Sequence, residues 1–79
     1  MDYKELGQFI VEARRSRGCS QQGLADHIGV SRATISALEK GRSGDVGLRK
    51  VMKMLDYLGY ELMARERSPF PMLEELRGD

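Results

Sequence analysis

Between Ser20 and Gly41 the chain spells out a helix start, a stop, a second start and a second stop in SQQGLADHIGVSRATISALEKG. That punctuation leaves room for two short helices and one tight turn. The Ser20 hydroxyl can accept from the free N–H groups of a helix start, and Leu24, Ala25 and Ile28 follow at one-face spacing. Gly29 takes a positive φ without steric cost, so the chain turns sharply there before Val30 packs back on the pair. Ser31 caps the next segment, in which Ile35 and Leu38 face inward while Arg32, Ala33, Ser36 and Lys40 share the opposite side. Gly41 ends it.

The outward face carries the functional reading, because a DNA major groove admits a helix whose leading side chains are small or long and flexible. Arg32 can donate twice to a guanine edge, Ala33 can meet a thymine methyl, and Ser36 can bond several bases or phosphate. Gln21, Gln22 and the N–H groups at the first helix start would hold the DNA backbone. The alternative is an ordinary helical hairpin with a solvated face. The agreement of turn, caps, core positions and outward chemistry favours the DNA reader.

The stretch from Leu6 to Gly59 resembles the Xre family of helix-turn-helix proteins, which includes the lambdoid phage repressors and many antitoxins. The matching residues are Gly7, Ile10, Ala13, Arg14 and Gly18, the SQ..LA of Ser20 to Ala25, and the GVS of Gly29 to Ser31. They continue with the TIS of Thr34 to Ser36, the LEKG of Leu38 to Gly41, and the closing Leu58 and Gly59. Together they are specific; any one alone is weak. The resemblance implies a mainly α, lambda-repressor-like bundle of four to five helices that binds duplex DNA as a homodimer. It implies DNA contacts at Gln21, Arg32, Ala33, Thr34 and Ser36 and, by the same likeness, a grip on the DNA backbone from Lys40, Arg42 and Ser43; beside these we place Gln22 and Ser31. It also implies an ion pair between Arg14 and Glu39, which the residues themselves suggest as a brace between the first helix and the reader. The bland alternative is two solvated surface residues.

Three positions depart from the family pattern. Gly23 stands where Glu or Asp would complete a capping box with Ser20, so that helix start loses a reciprocal bond. Cys19 occupies a place normally aliphatic and Phe9 one normally polar. A single cysteine has no internal disulfide partner and reads as a small buried apolar group, with a redox switch as the alternative.

At 79 residues the chain is one small domain whose core is marginal alone, so association would help it. No run approaches membrane-spanning length and Met1 to Gln8 is polar, so a cytoplasmic protein without membrane contact is expected. Residues 1–55 hold ten Lys or Arg against six Asp or Glu, a net +4, while residues 56–79 hold three against six, a net −3. This division suits a nucleic-acid face at one end and another partner at the other, unless it is chance scatter.

Along the rest of the chain, the first helix is expected from about Tyr3 to Arg17, with Leu6, Phe9, Ile10 and Ala13 inward and Arg15 and Arg17 outward. Asp45 is the expected N-cap of a helix from Val46 to Tyr57, its buried stripe formed by Leu48, Val51, Met52, Leu55 and Leu58. The methionines read as space-filling residues. From Tyr60 the period changes: Tyr60, Leu62 and Ala64 alternate with Glu61, Met63 and Arg65, a strand signal. One strand cannot satisfy its own backbone, so its pair would be a second copy across a dimer axis. Continuation as a helix is the alternative. The tail from 68 to 79 reads as a short acidic amphipathic helix that docks on the dimer or a second protein, or as a frayed terminus.

The expected division is therefore a DNA-binding domain over 1–59, a dimerisation strand over 60–67 and an acidic tail over 68–79. A helix-turn-helix followed by one dimer strand is similar to the HipB-like antitoxins, and the likeness implies repression of their own operon and a HipA-type kinase toxin as a partner. Without DNA binding, the alternative is a protein-interaction or toxin-neutralising module. His27 is the only histidine and has no serine or cysteine partner at an evident spacing, so no catalytic residue is assigned. One His and one Cys cannot supply a zinc cage, and neither metal nor cofactor is expected.

Overall fold

Helix α1, Tyr3–Ser16, begins where the Asp2 carboxylate accepts from the Glu5 amide at 2.7 Å. It stops one residue before the expected end, with the amides of Arg17 and Cys19 both bonded to the Arg14 carbonyl. The computed structural model describes residues 1–42 and 46–67. Four helices make up these residues: α1, then α2, Gln21–Ile28, α3, Arg32–Glu39, and α4, Leu48–Tyr57.

Both expected serine caps are present. Ser20 Oγ accepts from the Gly23 amide at 2.9 Å and Ser31 Oγ from the Thr34 amide at 3.1 Å, each satisfying a donor that a helix start leaves open. Gly29 closes α2 in the left-handed region at φ 83°, and the amides of Gly29 and Val30 both return to the Ala25 carbonyl.

The apolar spacing in each segment becomes one core: Ile10 and Ala13 from α1, Leu24, Ala25 and Ile28 from α2, Ile35 and Leu38 from α3, and Met54, Leu55 and Leu58 from α4 and its exit. Leu6, Phe9, Cys19, Val30, Val46 and Val51 pack around it, partly buried. Helix α3 packs on both α1 and α2, and α4 leans on α2. At the α2–α4 contact the exposed ring of His27 stacks on Tyr57, with centroids 3.8 Å apart.

The α4 stripe differs from the expectation. Leu48 is 65% exposed and Met52 49% exposed, whereas Met54 is fully buried. Two stripes at i, i+3, i+4, i+7 fit this sequence, and contact with α2 selects Val51, Met54, Leu55 and Leu58. The helix also starts at Leu48 instead of Val46, with Gly47 in the capping position. The proposed cap Asp45 lies outside the described residues.

Residues 60–67 are neither helix nor paired strand, so the helical alternative for this stretch is not what the chain adopts, and the described residues contain no strand. Tyr60 is fastened at its amide to the Leu55 carbonyl at 2.7 Å and at its ring edge to Phe9, with centroids 4.8 Å apart. This contact gives the departure from pattern at Phe9 a role: it anchors the exit from α4. Beyond Tyr60, Leu62 is 51% and Met63 79% exposed.

Candidate nucleic-acid interface

The site is built on the unburied side of α3. With Ile35 and Leu38 held in the core, Arg32 in the first turn and Ala33 on the opposite side are exposed, and Thr34 and Ser36 are half exposed. Ser31 and Lys40, the residues flanking the helix, are exposed, as is Arg42. The rod therefore carries small side chains along its face and cations at both ends. Ser43, the remaining expected contact, lies outside the described residues.

Local hydrogen bonds fix the start of this rod. Ser31 Oγ lies 2.9 Å from Thr34 Oγ1 as well as accepting from the Thr34 amide, so both hydroxyls are partly engaged within the helix. At the other end the Arg42 amide reaches back to the Ala37 carbonyl at 2.9 Å, and the Gly41 amide to Leu38 at 3.0 Å. This closure holds the chain after α3 close to the helix end.

The first turn of α2 is the second part of the site. Gln22 is exposed and its Nε2 donates to Asp26 Oδ1 at 2.8 Å, one helical turn on. Gln21 is half-buried and its Nε2 donates to Glu39 Oε1 at 2.8 Å. The spacing of the sequence did not reveal that bond, which joins residues 18 apart in the chain.

Behind both parts lies the Arg14–Glu39 pair. Arg14 Nε donates to Glu39 Oε2 at 2.7 Å and Nη2 to Oε1 at 3.1 Å, a two-pronged contact between side chains only 10% and 5% exposed. The alternative of two solvated residues is thereby set aside. The guanidinium also donates through Nη1 to the Cys19 carbonyl at 2.9 Å. The hydrogen bond to Glu39 holds the Arg14 pKa above its ordinary value, against the opposing effect of burial.

The expected chemistry is thus gathered on α3 and the first turn of α2, while Tyr60, Glu61, Leu62, Met63, Ala64 and Arg65 lie apart from it and exposed. Among the described residues no His, Cys, Asp or Glu cluster is placed to hold a metal ion, and no helix is long and apolar enough to cross a membrane.

Residues 10–63 match the helix-turn-helix family. The chain belongs to that family. A helix-turn-helix relative described as an uncharacterized HTH-type transcriptional regulator, from Methanothermobacter thermautotrophicus, is 53% identical over 34 residues, covering 43% of this chain. The match spans about half, 49%, of that relative's length. Among solved structures, the restriction-modification controller protein C.AhdI from Aeromonas hydrophila superimposes with a TM-score of 0.68 at 30% identity, over 75% of this chain and 88% of that one. A chain of the HipA-HipB-O2-O3 complex gives a TM-score of 0.72 at 25% identity, over 86% of this chain and 94% of that one. The helix-turn-helix fold and a DNA-binding, transcription-regulator-like character follow from the family match and these likenesses.

Proposed function

We propose that this protein is a non-catalytic, sequence-specific repressor that works in the cytoplasm as a homodimer on a palindromic operator. The observation that carries the reading is the division of α3: Ile35 and Leu38 are buried in the core while Arg32 and Ala33 are exposed and Ser36 is half exposed. In the proposed complex α3 lies in the major groove. Arg32 reads a guanine edge, Ala33 meets a thymine methyl, and Thr34 and Ser36 complete the readout. Gln21, Gln22, Ser31, Lys40, Arg42 and Ser43 grip phosphates and set the register.

The dimer forms, on this reading, through an antiparallel pairing of the strand at 60–65 with the same residues of a second copy. The alternation of Tyr60, Leu62 and Ala64 supports it, as does the exposure of this segment. Such a ribbon would set the two α3 helices about 34 Å apart, one turn of DNA.

Selection of bound sites from a pool of random duplexes tests both halves of the proposal. An inverted repeat with half-sites about one turn apart is expected. Recovery of unrelated sequences, or of a single unrepeated motif, would reject it.

The similarity to a chain of the HipA-HipB-O2-O3 complex, over nearly the whole of that chain, favours one extension, an antitoxin role. On that reading the protein also binds a HipA-type kinase toxin, through the flank of the dimer or the acidic stretch 68–79. Affinity purification from the native host should then recover a neighbouring-gene kinase together with the homodimer. A homodimer alone removes the extension and leaves the repressor.

A further inference from the structure

Side chains from three helices meet at a single carboxylate. Glu39 of α3 accepts from Arg14 Nε and Nη2 of α1 and from Gln21 Nε2 of α2. The same guanidinium holds the carbonyl of Cys19, immediately before the Ser20 cap of α2. Arg14 and Glu39 are nearly closed to water, so these bonds meet little competition, whereas Gln21 stands half open at the surface. A carboxamide has two N–H donors and an acceptor oxygen. The bond to Glu39 uses one donor and fixes the carboxamide, leaving a second N–H and the acceptor oxygen for another partner.

We propose that Glu39 and Arg14 are positioning residues for DNA binding. Arg14 holds the Glu39 carboxylate, and through Gln21 Nε2 that carboxylate sets the Gln21 carboxamide in the attitude that meets a phosphate. This rests on the DNA reading given above. An unrestrained glutamine loses rotamer freedom when it binds, whereas one already tied to a buried carboxylate lost that freedom on folding, which leaves more of the contact energy for affinity. The pair thus couples the interior of the domain to its DNA-facing corner, beyond bracing α1 against α3.

A double-mutant cycle tests the coupling. The probe is a duplex carrying the inverted repeat recovered by selection, and affinity is read by fluorescence anisotropy at a temperature where circular dichroism shows every variant folded. Gln21→Ala and Glu39→Gln are each expected to weaken binding about tenfold, and Glu39→Gln by less than about twofold once Gln21→Ala is present. An equal loss in both backgrounds, or none in either, overturns the proposal. If Gln21→Ala binds like the parent while Arg32→Ala does not, the DNA reading stands and the positioning role falls. If the parent protein binds no duplex, both fall. Should Glu39→Gln fail to fold, nitrogen relaxation of side-chain amides in the unaltered protein decides instead. The Gln21 amide should be as rigid as the backbone, and those of Gln8 and Gln22 more mobile; equal mobility in all three overturns the proposal.

Discussion

The backbone of Gly7 in α1 lies so close to the carbonyl of Leu38 in α3 that a Cβ there would overlap the oxygen and stand 2.6 Å from the carbonyl oxygen of Glu39. Both obstacles are backbone, so neither can swing aside. Alanine is ordinarily the better helix former by roughly 0.5–1 kcal/mol, yet here the overlap should outweigh propensity. Gly7→Ala is expected to lose about 1–3 kcal/mol, as overpacking does, with Tm falling roughly 4–8 °C for each kcal/mol. A thermal melt at or above the parental temperature would mean that the two helices stand further apart than described.

The Arg14–Glu39 pair should show the asymmetry of a buried ion pair. Removing one partner by Arg14→Met leaves a carboxylate without its counter-charge and should cost about 3–5 kcal/mol in urea unfolding. Adding Glu39→Met removes the stranded charge, so the double variant should recover part of that loss. A double variant weaker than Arg14→Met by the full cost of Glu39→Met alone would show that the two residues act independently.

Acid sensitivity should have an identifiable contribution at the start of α1. The Glu5 amide holds the Asp2 carboxyl below the usual carboxylate range. A folded value below the unfolded one means that the cap stabilises at pH above the unfolded pKa, and that this stabilisation fades as pH falls through the folded pKa. The urea midpoint of the parent should therefore drop more between pH 5 and pH 2 than that of Asp2→Asn, which caps without titrating. Parallel pH profiles would contradict this assignment.

Arg32 and Lys40 sit at opposite ends of α3 and should fail differently. If Arg32 reads guanine, Arg32→Ala costs about 1–3 kcal/mol on the selected site and relaxes the requirement for that base. Lys40→Ala should weaken selected and unrelated duplexes alike and reduce the slope of log affinity against log salt by about 1. Binding measured on matched point-variant duplexes at several salt concentrations separates them. A uniform loss for Arg32→Ala would remove it from base readout.

Local signals were legible where one residue type has one local use. Ser20 and Ser31 cap, Gly29 turns left-handed, and Ile35 and Leu38 go inward, because each choice is decided within a few residues of chain. The Arg14–Glu39 pair was legible through family resemblance. The bond from Gln21 to the same carboxylate was not, since nothing in SQQ distinguishes a glutamine that turns toward the core from one that turns toward solvent. In α4 the residues Leu48, Met52 and Met54 are all apolar, and local periodicity could not choose between two stripes at the same spacing. The alternation after Gly59 was plain, but a ladder needs a partner strand, and the described residues of one chain hold none.

The sequence by itself therefore determined where helices begin and end around the turn, and which side of α3 is left for a ligand, since capping and amphipathic spacing act over one or two turns of chain. Tertiary structure alone decided the inward face of α4, the anchoring of Tyr60 on Phe9, and the convergence of Arg14, Gln21 and Glu39. Each of those outcomes depends on which surfaces meet across long separations in the chain, and burial fixes them by excluding water from one of several faces that local propensity leaves equivalent.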